Sequence, residues 1–492
     1  MPSLLAIDAG TTGITALVVD EQASVRARGY QEFPQHFPDD GWVEHDLGQM
    51  WSATLDAVES ALASVDRSDL VAIGITNQRE TVCLWDRETL GAPRRAIVWQ
   101  DRRTAEICQS FRDDGHEPHI ADRTGLRLDP YFSATKLTWI RQHDEPSWRG
   151  VESGRTAVGT VDSYLIARMS RGLYHVTDAT NASRTLLYDL DSGEWSDRLA
   201  TLFGVPVEAL PEIVPSYGRL AQTDPDAFLG LDLPITGIAG DQQAAMVGQA
   251  AFNAGDAKCT YGTGSFLLAH TGEQIRRSQH GLLTTVALAH PDGRRDFALE
   301  GAVFVTGSAV QWLRDGLGII DSAPQVEELA ASVPDSGGVV FVPALTGLGA
   351  PEWDPSARGL VIGITRGTTR AHIARATLDA IAFQVKDVVD LMAADGQVDL
   401  TRLAIDGGAA ANNLLCQLQA DAVGLVVDRS AELQTTGVGA AFLAGLGAGV
   451  WSSTDELAAT RRSSGTFEPA AYDPQAHHRW REAVSRSLGW SR

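Results

Sequence analysis

The sequence predicts an α/β protein of more than one domain, and three observations carry that prediction. Short apolar runs alternate with longer stretches of helical periodicity from end to end. The chain has 492 residues, 44% hydrophobic and 21% charged, enough for large cores, and ~150 residues per domain would make about three of them. Two hairpins with Gly/Thr tips stand half a chain apart, each opening one half.

Taken in order, the strand expected at residues 4–7 ends in Asp8-Ala9-Gly10-Thr11-Thr12, and a second at 14–19 follows at once. Gly10 lacks a Cβ, so backbone N–H groups at this tip can approach an anion closely, and Thr11 and Thr12 add hydroxyls. Asp8, at the strand end, is placed to hold a divalent cation through water. The tip lacks the G-K-[ST] ending of a Walker A loop, and a Gly-Thr turn alone is ordinary turn chemistry. A helix is expected over 48–64. The strand at 71–75 leads into Asn77-Gln78-Arg79-Glu80-Thr81. That adjacent cation and anion make either a solvated surface pair or a polyol site, with Arg79 as donor and Glu80 as acceptor. A strand at 97–99 brings Trp99, which with Phe266 offers flat apolar walls, and a helix at 104–111 follows. The strand at 235–239 runs into Gly240-Asp241-Gln242 just before a helix; spacing alone favours Asp241 as a helix N-cap over a general base.

The second half begins after a weak linker-like stretch at 251–258. Thr260-Tyr261-Gly262-Thr263-Gly264 then precedes a strand at 265–268, and this tip could clamp phosphate against the first. Helices are expected at 309–315, 369–394 and 413–423, with a strand at 403–405. Between that strand and the last helix lies Asp406-Gly407-Gly408-Ala409-Ala410-Ala411-Asn412-Asn413. Its small residues would let a flat ligand lie on the backbone with Asn412 bonded to it; the bland alternative is a Gly-rich turn with an Asn cap.

Composition excludes several function classes. Forty basic against 63 acidic residues give a formal charge of −23, which argues against a nucleic-acid partner. Four dispersed cysteines form no C-x-x-C pair and no disulfide framework. No apolar run approaches the ~18 residues of a membrane span, and the N-terminus lacks a charged-then-apolar leader, so a cytoplasmic protein is expected. Trp42-Val43-Glu44-His45-Asp46 lacks metal-ligand spacing and reads as structural; His477-His478 lacks a third and fourth ligand.

Together these segments resemble the FGGY family of carbohydrate kinases. Tyr131-Phe132-Ser133-Ala134-Thr135-Lys136-Leu137-Thr138-Trp139 is similar to the family's first pattern. Gly359-Leu360-Val361-Ile362-Gly363-Ile364, with His372-Ile373 and Ala376-Thr377-Leu378-Asp379, is similar to the second. GWVEHD, GITNQRET, GTVDSYLI, VTDATNASRT, GIAGDQQAA and YGTGSFLL resemble the branch that phosphorylates glycerol, and the likeness runs from about residue 4 to about 450. The resemblance implies an actin/hexokinase-like α/β fold, two ribonuclease-H-like domains (1–250 and 251–492) flanking an ATP cleft. It implies ATP-dependent phosphorylation of glycerol to sn-glycerol 3-phosphate, with another small polyol or a pentulose as the alternative substrate. Under it the N-cap reading of Asp241 gives way to the general base. Arg79, Glu80, Tyr131, Asp241 and Gln242 would bind glycerol between Trp99 and Phe266. Thr11, Thr12, Gly13, Thr263, Gly307, Gln311, Gly408 and Asn412 would bind ATP, and Asp8 would hold Mg²⁺. A homodimer and a homotetramer are the alternatives for assembly. One departure stands out: where the glycerol-specific members continue Ser-Ser-Arg after the first tip, this chain has Gly13-Ile14-Thr15. Weaker ATP binding is expected from it, with glycerol binding independent of that loop.

Overall fold

The computed structural model of the protein describes residues 1–491 and contains two mixed sheets of related topology. The first sheet uses β1 (Ser3–Ala9), β2 (Gly13–Asp20), β3 (Val25–Glu32), β4 (Leu70–Asn77), β5 (Tyr217–Gln222) and β6 (Pro234–Gly240) in the order β5-β6-β4-β1-β2-β3. The second uses β7 (Asp256–Tyr261), β8 (Ser265–Gly272), β9 (Leu283–Ala289), β10 (Arg295–Val303), β11 (Arg402–Asp406), β12 (Val426–Ser430) and β13 (Ser463–Phe467), in the order β9-β10-β8-β7-β11-β12-β13. In each sheet an antiparallel hairpin (β1-β2, β7-β8) is followed by a strand parallel to its first member (β4, β11). The two hairpins and the expected strands are therefore present, with bounds that differ by a few residues, except at 97–99, where only Ala96–Ile97 are extended, in a separate small sheet, and Trp99 lies in the turn that follows.

Strand β1 is apolar throughout because both its faces are covered. Leu5 and Ile7 pack with Ile14, Ala16 and Val18 beneath α1 (Leu47–Leu62), a helix capped by the Asp46 side chain on the Gln49 N–H. Leu4 and Ala6 pack on the other side with Leu17 and Val19.

That other side is covered from far along the chain. Helix α2 (Asp241–Gly248) follows β6, whereas α7 (Thr435–Ala448) follows β12, yet α7 lies against the first sheet and crosses α2. The crossing needs glycine: a Cβ on Gly439 would stand 1.8 Å from the Ala244 carbonyl oxygen, and one on Gly74 of β4 would stand 2.0 Å from that of Ala440. Four more helices pack in the second half: α3 (Gly307–Asp315), α4 (Gln325–Ala331), α5 (Arg370–Gly396) and α6 (Asn413–Val423), whose apolar sides meet Leu267, Leu299, Leu403 and Ile405. A short helix, α8 (Thr454–Thr460), precedes β13.

The structural reading of residues 42–46 holds. Trp42 stacks on the Arg103 guanidinium, which pairs with Glu44, and His45 is buried beside Phe33. All four cysteines are free and buried. Among the described residues no helix is long and apolar enough to cross a membrane.

Candidate active site

Both hairpin tips open at the carboxyl ends of the central strands. The first is closed by a Gly10 N–H bond to the Gly13 carbonyl, 3.1 Å. The Gln78 amide donates to the Gly10 carbonyl at 3.0 Å, and the Trp99 indole N–H donates to the Thr11 hydroxyl oxygen at 2.9 Å. This last bond fastens a residue of the expected polyol wall to the phosphate tip itself. Gly13 has a local reason: a Cβ there would stand 2.8 Å from the Tyr30 hydroxyl, whose ring occupies the space of a larger residue. Thr15 faces Asp8 across one strand pair and Tyr30 across the other.

The second tip is bonded to the start of α3. The N–H groups of Thr306 and Ser308 donate to the Thr263 carbonyl (2.9 and 3.1 Å), and that of Gly307 donates to Gly262 at 3.0 Å. Thr263, Gly307, Gln311, Gly408 and Asn412 line one cavity of about 400 Å³ with Leu378 and Leu415, a volume within the range of small-ligand pockets. Asn412 does two things: its side chain caps α6 at the Leu415 N–H, 2.8 Å, and its residue lines the cavity. Gly407 has φ +87°, and a Cβ on it would meet the Tyr261 carbonyl at 2.4 Å, so the ligand-facing turn requires glycine there.

A buried charge cluster joins the two halves. Arg79 forms an ion pair with Asp241, Nε to Oδ1 at 3.0 Å, and donates through Nη2 to the Tyr131 hydroxyl at 3.3 Å. Both terminal nitrogens also reach Glu300, at 2.6 and 3.2 Å. Arg184 joins Glu80 (2.7 Å) to Glu300 (2.8 Å). The Arg79, Glu80, Arg184 and Glu300 side chains are essentially inaccessible. Burial alone would raise the Glu300 pKa, but the Arg184 and Arg79 guanidinium groups bring it below the ordinary carboxylate range. For Glu80 burial prevails and its pKa is raised. Glu80 sits at φ +62°, a costly conformation for a non-glycine residue that the Ser133 bond to its carbonyl helps hold.

Asp241 is not the N-cap of α2. Gly240 occupies that position, and Asp241 is the first helical residue, its Oδ1 accepting from the Gln242 N–H at 2.7 Å and lying in ion-pair contact with Arg79. Gln242 is buried and its carbonyl oxygen accepts from Lys258, a fully buried lysine whose pKa burial lowers. Trp99, Tyr131 and Phe266 form an aromatic corner, with Trp99 5.5 Å from Tyr131 and 6.4 Å from Phe266 by ring centroids.

Asp8 is half-buried and has no hydrogen-bonding partner among the described residues. Burial, and secondarily the nearby Asp241 carboxylate, push its pKa up to about 7. A carboxyl so short of positive charge beside a second carboxylate suits Mg²⁺, which takes one or two protein carboxylates and completes its shell with water and phosphate.

The residues missed from sequence are Glu300, Arg184 and Lys258. Their available signal was a lone charge inside an otherwise apolar segment, as in Phe297-Ala298-Leu299-Glu300-Gly301-Ala302-Val303.

Matches to known proteins extend over both halves of the chain. The models of the FGGY family of carbohydrate kinases match, N-terminal domain over residues 3–248 and C-terminal domain over 257–448. A glycerol kinase of Gloeobacter violaceus is 52% identical over 100% of this chain and 98% of its own. Glycerol kinase 2 of Thermotoga maritima is 48% identical over the full length of both. The structure of Plasmodium falciparum glycerol kinase with ADP superposes with a TM-score of 0.93 at 34% identity, covering 99% of this chain and 98% of that one. Lactobacillus acidophilus xylulose kinase, at 21% identity and TM-score 0.87, shares the fold. Paired sheets with paired hairpins, and matches spanning both halves, lead to one conclusion: the chain belongs to the FGGY family of carbohydrate kinases.

Proposed function

We propose that this kinase transfers the γ-phosphoryl group of ATP to a primary hydroxyl of glycerol, giving sn-glycerol 3-phosphate in the cytoplasm. The observation that carries the reading is Asp241, held by Arg79, which also bonds Tyr131 of an aromatic corner fastened through Trp99 to the first hairpin tip. Relatives of about half identity over the full length that are named glycerol kinases support the choice of polyol.

Glycerol carbons lie against Trp99, Tyr131 and Phe266, while Glu80, Arg79 and Gln242 orient the hydroxyls. Glu80 keeps Oε2 free of protein partners among the described residues, so that oxygen accepts from the substrate. Asp241 takes the hydroxyl proton as its oxygen bonds to the γ-phosphorus and the bond to the β–γ bridging oxygen breaks, releasing ADP. Thr11, Thr12 and Gly13 from one side and Thr263 from the other present hydroxyls and N–H groups to the phosphates. The adenosine fills the cavity lined by Gly307, Gln311, Gly408 and Asn412. Asp8 would hold Mg²⁺ through water, and the ion would neutralise phosphate charge that a protein of charge −23 otherwise repels.

The test is a coupled ADP-release assay of glycerol against a panel of polyols and pentuloses. Glycerol should give the highest kcat/KM; a pentulose ranking first would overturn the substrate assignment.

A further inference from the structure

Arg79 and Arg184 belong to the first half of the chain, but the carboxylate that grips both, Glu300, comes from β10 in the second sheet. Its geometry decides how Arg79 meets Asp241. With both Nη nitrogens of Arg79 bonded to Glu300, its contact with Asp241 is an ion pair from Nε to Oδ1 at 3.0 Å. The Gln242 N–H falls on that same oxygen. Asp241 Oδ2 is therefore left without a hydrogen-bond partner among the described residues.

We propose that Glu300 is a positioning residue for phosphoryl transfer, holding the forked end of Arg79 away from Asp241 so that Oδ2 stays free to take the substrate proton. The inference rests on the reading of Asp241 as the base. The charged groups facing this pair are Arg79, Glu80 and Arg184 from the first half, Asp8 at the end of β1, and Lys258 on β7. If Glu300 loses its charge, Glu80 cannot replace it, because Glu80 already pairs with Arg184 at 2.7 Å. The fork of Arg79 then turns to Asp241, and a two-pronged Arg–carboxylate pair occupies both oxygens.

Two substitutions separate this role from packing. Glu300→Gln keeps the shape and removes the charge; Glu300→Asp keeps the charge and withdraws it by one methylene. A charge requirement ranks Asp above Gln in kcat, whereas a packing role ranks Gln above Asp. Glu300→Gln should lower kcat about 100-fold with KM for ATP within about 2-fold of wild type, and Glu300→Asp should stay within about 10-fold in kcat. Calorimetric titration with ADP, whose cavity lies elsewhere, shows whether each variant is folded. Gln equal to or above Asp, or loss of ADP binding together with turnover in both variants, would overturn the role. A wild type that ignores glycerol but accepts another compound of the panel refutes the substrate reading alone, and the ranking is then read with that compound. Acceptance of none refutes both.

Discussion

The bond from the Trp99 indole to Thr11 makes a measurable link between the two substrates. An indole N–H that donates to Oγ1 at 2.9 Å fixes that oxygen as acceptor and leaves the hydroxyl hydrogen to point at an anion. Thr11→Val keeps the shape and deletes the hydroxyl. A hydroxyl–phosphate bond is worth roughly 1.5–3 kcal/mol, so ATP should bind about 10- to 100-fold more weakly. Trp99 is half-buried, so water partly replaces its lost acceptor and the loss there is about 1 kcal/mol, or ~5-fold in glycerol affinity. Calorimetry with glycerol alone, then with ATP alone, reads each term, and Thr11→Ser should restore both. Trp99→Phe removes the donor and should weaken glycerol more than ATP. Unaltered glycerol affinity in Thr11→Val, with only ATP affected, would refute the link and bear out the independence expected from sequence.

Three other outcomes are expected. Asp241→Asn should lower kcat by roughly 10²- to 10⁴-fold while retaining glycerol binding, since Oδ1 keeps Arg79 and Oδ2 is lost as a base; wild-type turnover would sink its role. The Asp8 carboxyl, with its pKa raised to about 7, is ionised in the unfolded chain above about 4, so it costs the folded state increasingly as pH rises from about 4 to 7 and no further above that. Asp8→Asn should therefore stabilise the nucleotide-free protein by about 2–4 kcal/mol at pH 8 and hardly at pH 4; equal melting temperatures at pH 8 contradict the burial argument. Gly439→Ala places a Cβ 1.8 Å from a backbone oxygen, and backbone yields poorly, so a loss of about 3 kcal/mol is expected in thermal unfolding, against which a wild-type Tm would tell.

Much of the fold was legible because both hairpins, and the strands around them, are short apolar runs broken by turn residues. The run Thr435-Thr436-Gly437-Val438-Gly439-Ala440 carried no such signal, since glycine is a poor helix former and α7 is helical through its crossing with α2. At the site, Arg79 and Glu80 were visible as a pair whose burial could not be read locally, and Asp241 was visible as an acid at a helix start, where the cap explanation was the better one on spacing. Glu300 was invisible for a different reason: its partners lie 221 and 116 residues away, and one acid in a strand reads as an exposed edge residue until those partners are known.

The crossing of α2 and α7 has a consequence for the chain during synthesis. The face of the first sheet that carries Leu4, Ala6, Leu17 and Val19 is sealed by Val438, Ala441 and Leu443, which leave the ribosome more than a hundred residues after β6 is complete. At about 5–20 residues per second that face stays uncovered on the order of 10–40 s. The nascent first half is thus an unfinished sandwich with an exposed apolar surface, and a chain truncated before α7 should precipitate or bind a chaperone even though every strand of its sheet is present.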